Sequence, residues 1–236
     1  MFFDLNIRGS NLENNLIMAK EASKYGWQHI NFAYNPNDFS KALDIKDDLE
    51  NSLSDVISFD YTLEIKSSNI NEIRKNVNKY RSKASCISVV GGEIKVNRAC
   101  LENVKVDVLS RPYFKRFDAG INQVLAREAL RNNVAIEICF KDILKSYLSH
   151  RSKIISNFRD IYVLYRKFDF PLILSSRAQS VFDIRTTHDF VAFFKQTGLT
   201  DAEIEKSFNT SYKILEFNKN RDDMMFTGVR RLEDEA

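Results

Sequence analysis

The stretch GINQVLAREALRNNVAIEICF (residues 120–140) carries a helix and then a strand, and its reading decides the fold. Ile121, Val124, Leu125, Ala129 and Leu130 recur at helical spacing on one face, with Arg127, Glu128 and Arg131 left for the outside. The period then changes. VAIEICF (134–140) is an apolar, β-rich run carrying one charge, Glu137.

The same alternation runs outward in both directions. Further β-rich runs are FFDLNI (2–7), HINFAYN (29–35), SFDYTLEIK (58–66), CISVVGG (86–92), VDVLSRPY (106–113) and PLILSS (171–176). Helical periodicity separates them, as in 11–25, where Asn11 is placed to cap, and in 151–167. The spacing between strands leaves room for a crossover helix, so parallel neighbours with right-handed connections follow. Seven or eight such units without a composition break predict an α/β fold of the closed (β/α), TIM-barrel-like type. An open doubly wound sheet is the alternative, but NIRGSN after the first strand has a single glycine and no dinucleotide-binding turn. One domain is expected over 1–217. After Pro171 three helical segments follow (about 187–197, 200–206 and 208–217), and 218–236 reads as a flexible polar tail.

Composition excludes several classes. Hydrophobic residues make up 44% and charged residues 28%, as in an ordinary globule, and no apolar run approaches the ~18–20 residues of a membrane span. Asp4 interrupts the first apolar run, which argues against a signal peptide. Cys86, Cys100 and Cys139 lack metal-like spacing and read as free thiols, so a reducing cytoplasm is expected. The net charge of +3 hides a partition: residues 36–72 hold 3 basic and 9 acidic side chains, whereas 73–167 hold 20 and 8. The basic block predicts a surface for a polyanion. The acidic one predicts a face for a basic protein partner.

A barrel places its function where strands end. Asp4 and Asn6 on the first strand, Asp60 and Glu64 on the third and Glu137 on the sixth can point inward, as in a metal-dependent hydrolase. A metal centre also wants imidazoles. The three histidines, His29, His150 and His188, form no His-x-His pair, so hydrogen bonding inside the barrel is the simpler role for these groups. No G-x-S-x-G elbow is present. The basic positions carry more. RPYFKRFDAG (111–120) sets Arg111, Lys115 and Arg116 among aromatic residues, and SSRAQSVFDIR (175–185) is bracketed by Arg177 and Arg185. Cations hold phosphate and aromatic faces stack on unpaired bases. The expected RNA contacts are therefore Arg111, Lys115, Arg116, Arg127, Arg177 and Arg185. Asp118 is expected to position an arginine, Asp183 to orient Arg185, and Ser176 to cap a turn or touch a phosphate.

DAGINQVLAREALRNNVAIEICF (118–140) resembles the signature of the component 3 family of archaeal ribonuclease P, related to the eukaryotic thirty-kilodalton subunit. SSRAQSVFDIRTTHDFVAFFKQTGL (175–199), FFDLNIRG (2–9) and SFNTSYKILEFNKNR (207–221) fit the same family, while Arg177 stands where a smaller or acidic residue is expected. The resemblance implies a barrel akin to the PHP (polymerase and histidinol phosphatase) barrels without a working metal site. It implies a non-catalytic subunit that pairs with a second protein and helps the ribonuclease P RNA remove the 5′ leader of precursor tRNA. The protein would bind no cofactor, with Mg²⁺ held in the RNA, and would meet precursor tRNA indirectly. A free-standing PHP-type phosphoesterase is the alternative.

Overall fold

Seven apolar runs become strands because residues at alternate positions are buried on both faces, one set against helices and the other against the opposite wall. The strands are β1 (Phe3–Arg8), β2 (His29–Tyr34), β3 (Ser58–Ile65), β4 (Cys86–Val90), β5 (Val108–Ser110), β6 (Ala135–Cys139) and β7 (Leu172–Ser175). In this computed structural model they lie parallel in one sheet in sequence order. The structure describes residues 1–221, and beyond them only the strand backbones of Met224–Phe226 and Val229–Arg230. Ile30, Phe32, Leu63, Ile87, Leu109 and Ile136 point outward into the main core beneath the helices. The residues between them face the lumen.

The helical layer comprises α1 (Leu12–Lys24), α2 (Phe39–Asp44), α3 (Lys46–Leu53), α4 (Ile70–Tyr80), α5 (Ile94–Leu101), α6 (Gln123–Arg131), α7 (Phe140–Leu144), α8 (Leu148–Phe168) and α9 (Thr187–Thr197), followed by α10 (Asp201–Lys219). Local sequence sets their ends. Asn11 caps α1 by accepting from the Asn14 N–H, Asn122 caps α6 through Leu125, and Thr200 with Glu203 forms a capping box on α10.

The two segments expected at 200–206 and 208–217 are one helix. Ser207 and Ser211 return their hydroxyls to the carbonyls of Ile204 and Ser207, so buried serines there do not break it. α10 closes the lower, N-terminal end of the barrel: its Ile214 and Leu215 join Phe3, Leu5, Cys86, Val108, Ala135 and Ile173 in a second, internal apolar cluster. Asp107 locks that end by taking Arg81 at 2.6 Å, Arg221 at 3.3 Å and the Ile87 N–H at 2.7 Å. The segment expected as a tail from 218 thus begins within α10, and the Asn218 amide donates to Ser85 O. Most of 222–236 lies outside the described residues.

The seam between β7 and β1 has no strand ladder. The Asp4 carboxylate bridges it, accepting from the backbone N–H groups of Asn6 and Ser176, and Arg8 N–H donates to Ala178 O at 2.8 Å. Burial pushes Asp4 up to about 6, against the hydrogen bonds from Ser176 and Asn6 that pull it down. Its folded pKa lies above the unfolded value near 3.8, so the folded state binds the proton more tightly. Stability from this group is therefore full below about pH 4 and lost as pH rises through about 6. Relative to Asp4→Asn, the wild type is expected to lose about 2–3 kcal/mol between pH 4 and pH 7. Urea titrations of both proteins across that range check it; parallel curves would remove Asp4 as the cause.

Candidate nucleic-acid interface

The mouth of the barrel, where β3 to β7 end, gathers most of the charge singled out in the sequence. In the lumen Arg177 donates to Glu64 at 2.5 Å, and Arg8 approaches the same carboxylate at 3.8 Å. Arg177, two residues past the end of β7, is in a left-handed conformation (φ 51°), which costs about 1–2 kcal/mol for a residue with a side chain. The ion pair holds it there. Burial works against the Arg177 charge, but Glu64, Cys139 and Glu137 together more than offset it and raise its pKa. Glu137 accepts from the Asn6 amide at 3.0 Å. These two carboxylates are thus committed to a guanidinium and an amide, and Asp60 accepts from the Ser85 hydroxyl at 2.7 Å. Among the described residues no group of three or more His, Cys, Asp or Glu side chains could hold a metal ion. His29 lies lower, between Ser58 and Asn31. These donors do not fit a metal centre.

The loop after β5 is built as a rigid bracket. Arg111, also left-handed (φ 53°), grips Asp142 with two nitrogens, and Tyr113 donates its hydroxyl to the same carboxylate at 2.8 Å. The Arg111 guanidinium stacks 4.0 Å from the centroid of Phe114. Arg116 holds both oxygens of Asp118 and donates to Gly92 O at 2.9 Å. Beneath them Asn97 of α5, fully buried, accepts from Gly92 N–H at 2.9 Å and donates to Pro112 O at 3.0 Å and Gly120 O at 2.7 Å. Gly120 is required: a Cβ there would sit 1.9 Å from Pro112 O, and its φ is +71°. Lys115 projects from this bracket into solvent, and Phe117 beside it is 90% exposed.

The expected RNA contacts therefore separate by role. Arg111 and Arg177 are internal clamps, Arg116 is half committed to Asp118, and Lys115 is open. Arg127 is not at the mouth; it lies on the outer face of α6 with its guanidinium 5.3 Å from the Phe168 ring at the end of α8. Arg185 is also displaced from the mouth: it donates to Phe182 O and Ile184 O, and its carbonyl accepts from Trp27 at the start of β2. Asp183 does not orient Arg185 but pairs with Lys145 at 3.2 Å and accepts from Gln179 N–H. Ser176 caps its own turn by accepting from Ala178 N–H. Helical periodicity puts Arg127 outside but cannot say at which height, and the 178–186 segment descends the seam instead of staying at the rim.

Sequence reading passed over Asn97 and Lys66. The signal for Asn97 was a polar residue on the apolar face of VNRACL; Lys66 follows β3 directly, inside the block set aside as acidic. Lys66, Ser67, Gly91, Gly92, Phe114 and Lys115 line a groove of about 490 Å³ across the ends of β3, β4 and β5.

The model for the family "RNase P subunit p30" matches residues 1–223. The chain belongs to this family. It is 42% identical over 236 residues to ribonuclease P protein component 3 of Methanothermobacter thermautotrophicus, covering 98% of this chain and 95% of that one. It is 33% identical over 218 residues to component 3 of Methanococcus maripaludis strain C7, with 91% and 93% covered. A chain in the cryo-EM structure of archaeal ribonuclease P with mature tRNA superposes with a TM-score of 0.84 at 30% identity, with 99% of both chains covered. Histidinol phosphate phosphatase from Lactococcus lactis shares the fold alone, at 12% identity and a TM-score of 0.55 over 84% of this chain and 94% of that one. The chain thus has a seven-stranded parallel sheet of the expected TIM-barrel-like type among its described residues. No helix among the described residues is long and apolar enough to cross a membrane.

Proposed function

We propose that this chain is a protein subunit of ribonuclease P, working in the cytoplasm on the RNA that removes the 5′ leader of precursor tRNA. The observation that carries the reading is the end-to-end match to a chain of an archaeal ribonuclease P particle. Its charge supports the same role. Lys66, Lys115 and Lys145 are exposed at the mouth, with Phe117 exposed on the loop after β5. Such cations neutralise backbone phosphates and such rings stack on unpaired bases, favouring a compact catalytic RNA. The hydrolysis itself falls to Mg²⁺ held by the RNA. Precursor tRNA is met through the assembly.

A second protein subunit completes the reading. Asp44, Asp47, Asp48, Glu50 and Asp55 are exposed on and after α2 and α3, a face suited to a basic partner. The free-standing phosphoesterase is disfavoured, because Arg177 and Asn6 engage the carboxylates such an enzyme would give to metals.

The test is reconstitution. Precursor tRNA cleavage by the catalytic RNA at limiting Mg²⁺ is expected to rise when this protein and its partner are added, and to be absent with the proteins alone. No stimulation at any Mg²⁺ concentration, or phosphodiester cleavage by the protein without RNA, would overturn the assignment.

A further inference from the structure

The groove across the ends of β3, β4 and β5 is lined by three cations, Lys66, Lys115 and Arg116, of which Arg116 is held by Asp118 and Gly92 O. Lys66 Nζ lies 5.9 Å and Lys115 Nζ 5.6 Å from the centroid of a single ring, Phe114. That ring, which also carries the Arg111 guanidinium 4.0 Å from its centroid, attracts both exposed ammonium groups. Neither lysine has a carboxylate within 4 Å among the described residues, whereas Arg111 and Arg116 on the same loop are bound to Asp142 and Asp118. Glu93, also in the wall, is paired with Lys95 at 3.2 Å. Two unpaired cations thus flank one depression, and Ser67 and Ser68 line it on the β3 side.

The floor is fixed by backbone, not by mobile side chains. A Cβ on Gly92 (φ +127°) would lie 2.6 Å from Phe114 O, and one on Gly91 would lie 2.5 Å from Asn97 Oδ1. The glycines let the β4 loop press against the β5 loop and keep the depression open above them. At about 490 Å³ it falls in the ~300–1,000 Å³ range of sites that take ligands of nucleotide size. Beside it stands Phe117, 90% exposed.

We propose that this groove is a phosphate subsite for unpaired RNA, with Lys66 and Lys115 clasping one backbone phosphate from opposite walls. This rests on the ribonuclease P reading above and adds a residue, Lys66, from a segment whose net charge pointed away from RNA. Phe117 is placed to stack on a base next to that phosphate.

The probe is a labelled ten-nucleotide single-stranded RNA bound by the full chain, read by anisotropy over a KCl series. The Lys66→Ala/Lys115→Ala double variant is expected to reduce the salt slope by about 0.7, the loss of one phosphate contact, and each single variant by part of that. Both lysines are exposed, so the melting temperature should not move; Lys24→Ala, remote on α1, should leave the slope unchanged. A wild-type slope in the double variant, with the protein still stimulating reconstituted cleavage as the wild type does, would overturn the groove alone. Failure of the wild-type protein to stimulate cleavage would overturn the functional reading and this proposal with it.

Discussion

Glu64→Ala is expected to destabilise the protein by about 3–5 kcal/mol, because it leaves a buried guanidinium without its counter-charge. The Glu64 side chain is 7% exposed and that of Arg177 16%, so little water can replace the lost contact. Arg8, held near the same carboxylate, loses its partner too. For a chain of this size about 2–4 °C accompanies each kcal/mol, so a fall in melting temperature on the order of 10 °C should be seen by calorimetry. The second arm of the experiment removes both charges. Glu64→Gln combined with Arg177→Gly deletes the guanidinium and also relieves the left-handed backbone at that position. It should recover much of the loss. A double variant no more stable than Glu64→Ala would mean that packing, not an orphaned charge, sets the cost.

Asn97→Ala is expected to cost a comparable ~3–5 kcal/mol, through three buried backbone groups left without partners. Its amide ties Gly92, Pro112 and Gly120 together, and so fixes the β4 and β5 loops to one another. Asn97→Asp should be no better, since an oxygen would then face the Pro112 and Gly120 carbonyls. RNA affinity should fall with stability even though Asn97 is fully buried, because Lys115 and Phe117 ride on the loop it holds. Chemical denaturation and the single-stranded RNA titration report the two effects separately. Loss of stability with unchanged RNA affinity would show that the loop keeps its shape without this bracket.

The strands were legible because parallel strands buried on both faces appear as contiguous apolar runs, and all seven runs became β1 to β7. Cap residues such as Asn11 act over three residues and are equally readable. The interface was legible only by residue type. RPYFKRFDAG was rightly placed at a strand end, yet whether a cation there faces solvent depends on a carboxylate far along the chain. Arg111 meets Asp142, 31 residues away, and Arg177 meets Glu64 at a separation of 113. Segment charge is equally blind to the placement of Lys66, since the net charge of a segment is an average over residues that folding sends to different surfaces.

The sequence by itself determined the repeating strand–helix order, its parallel sense and the family, because each is written in local periodicity or in runs of matched residues. Tertiary structure alone decided which arginines are clamps, that α10 plugs the lower end, and that Lys66 and Lys115 share one groove. Those outcomes depend on distances between residues brought together by closure of the barrel, and an electrostatic partner is chosen by distance in space and not by place in the chain.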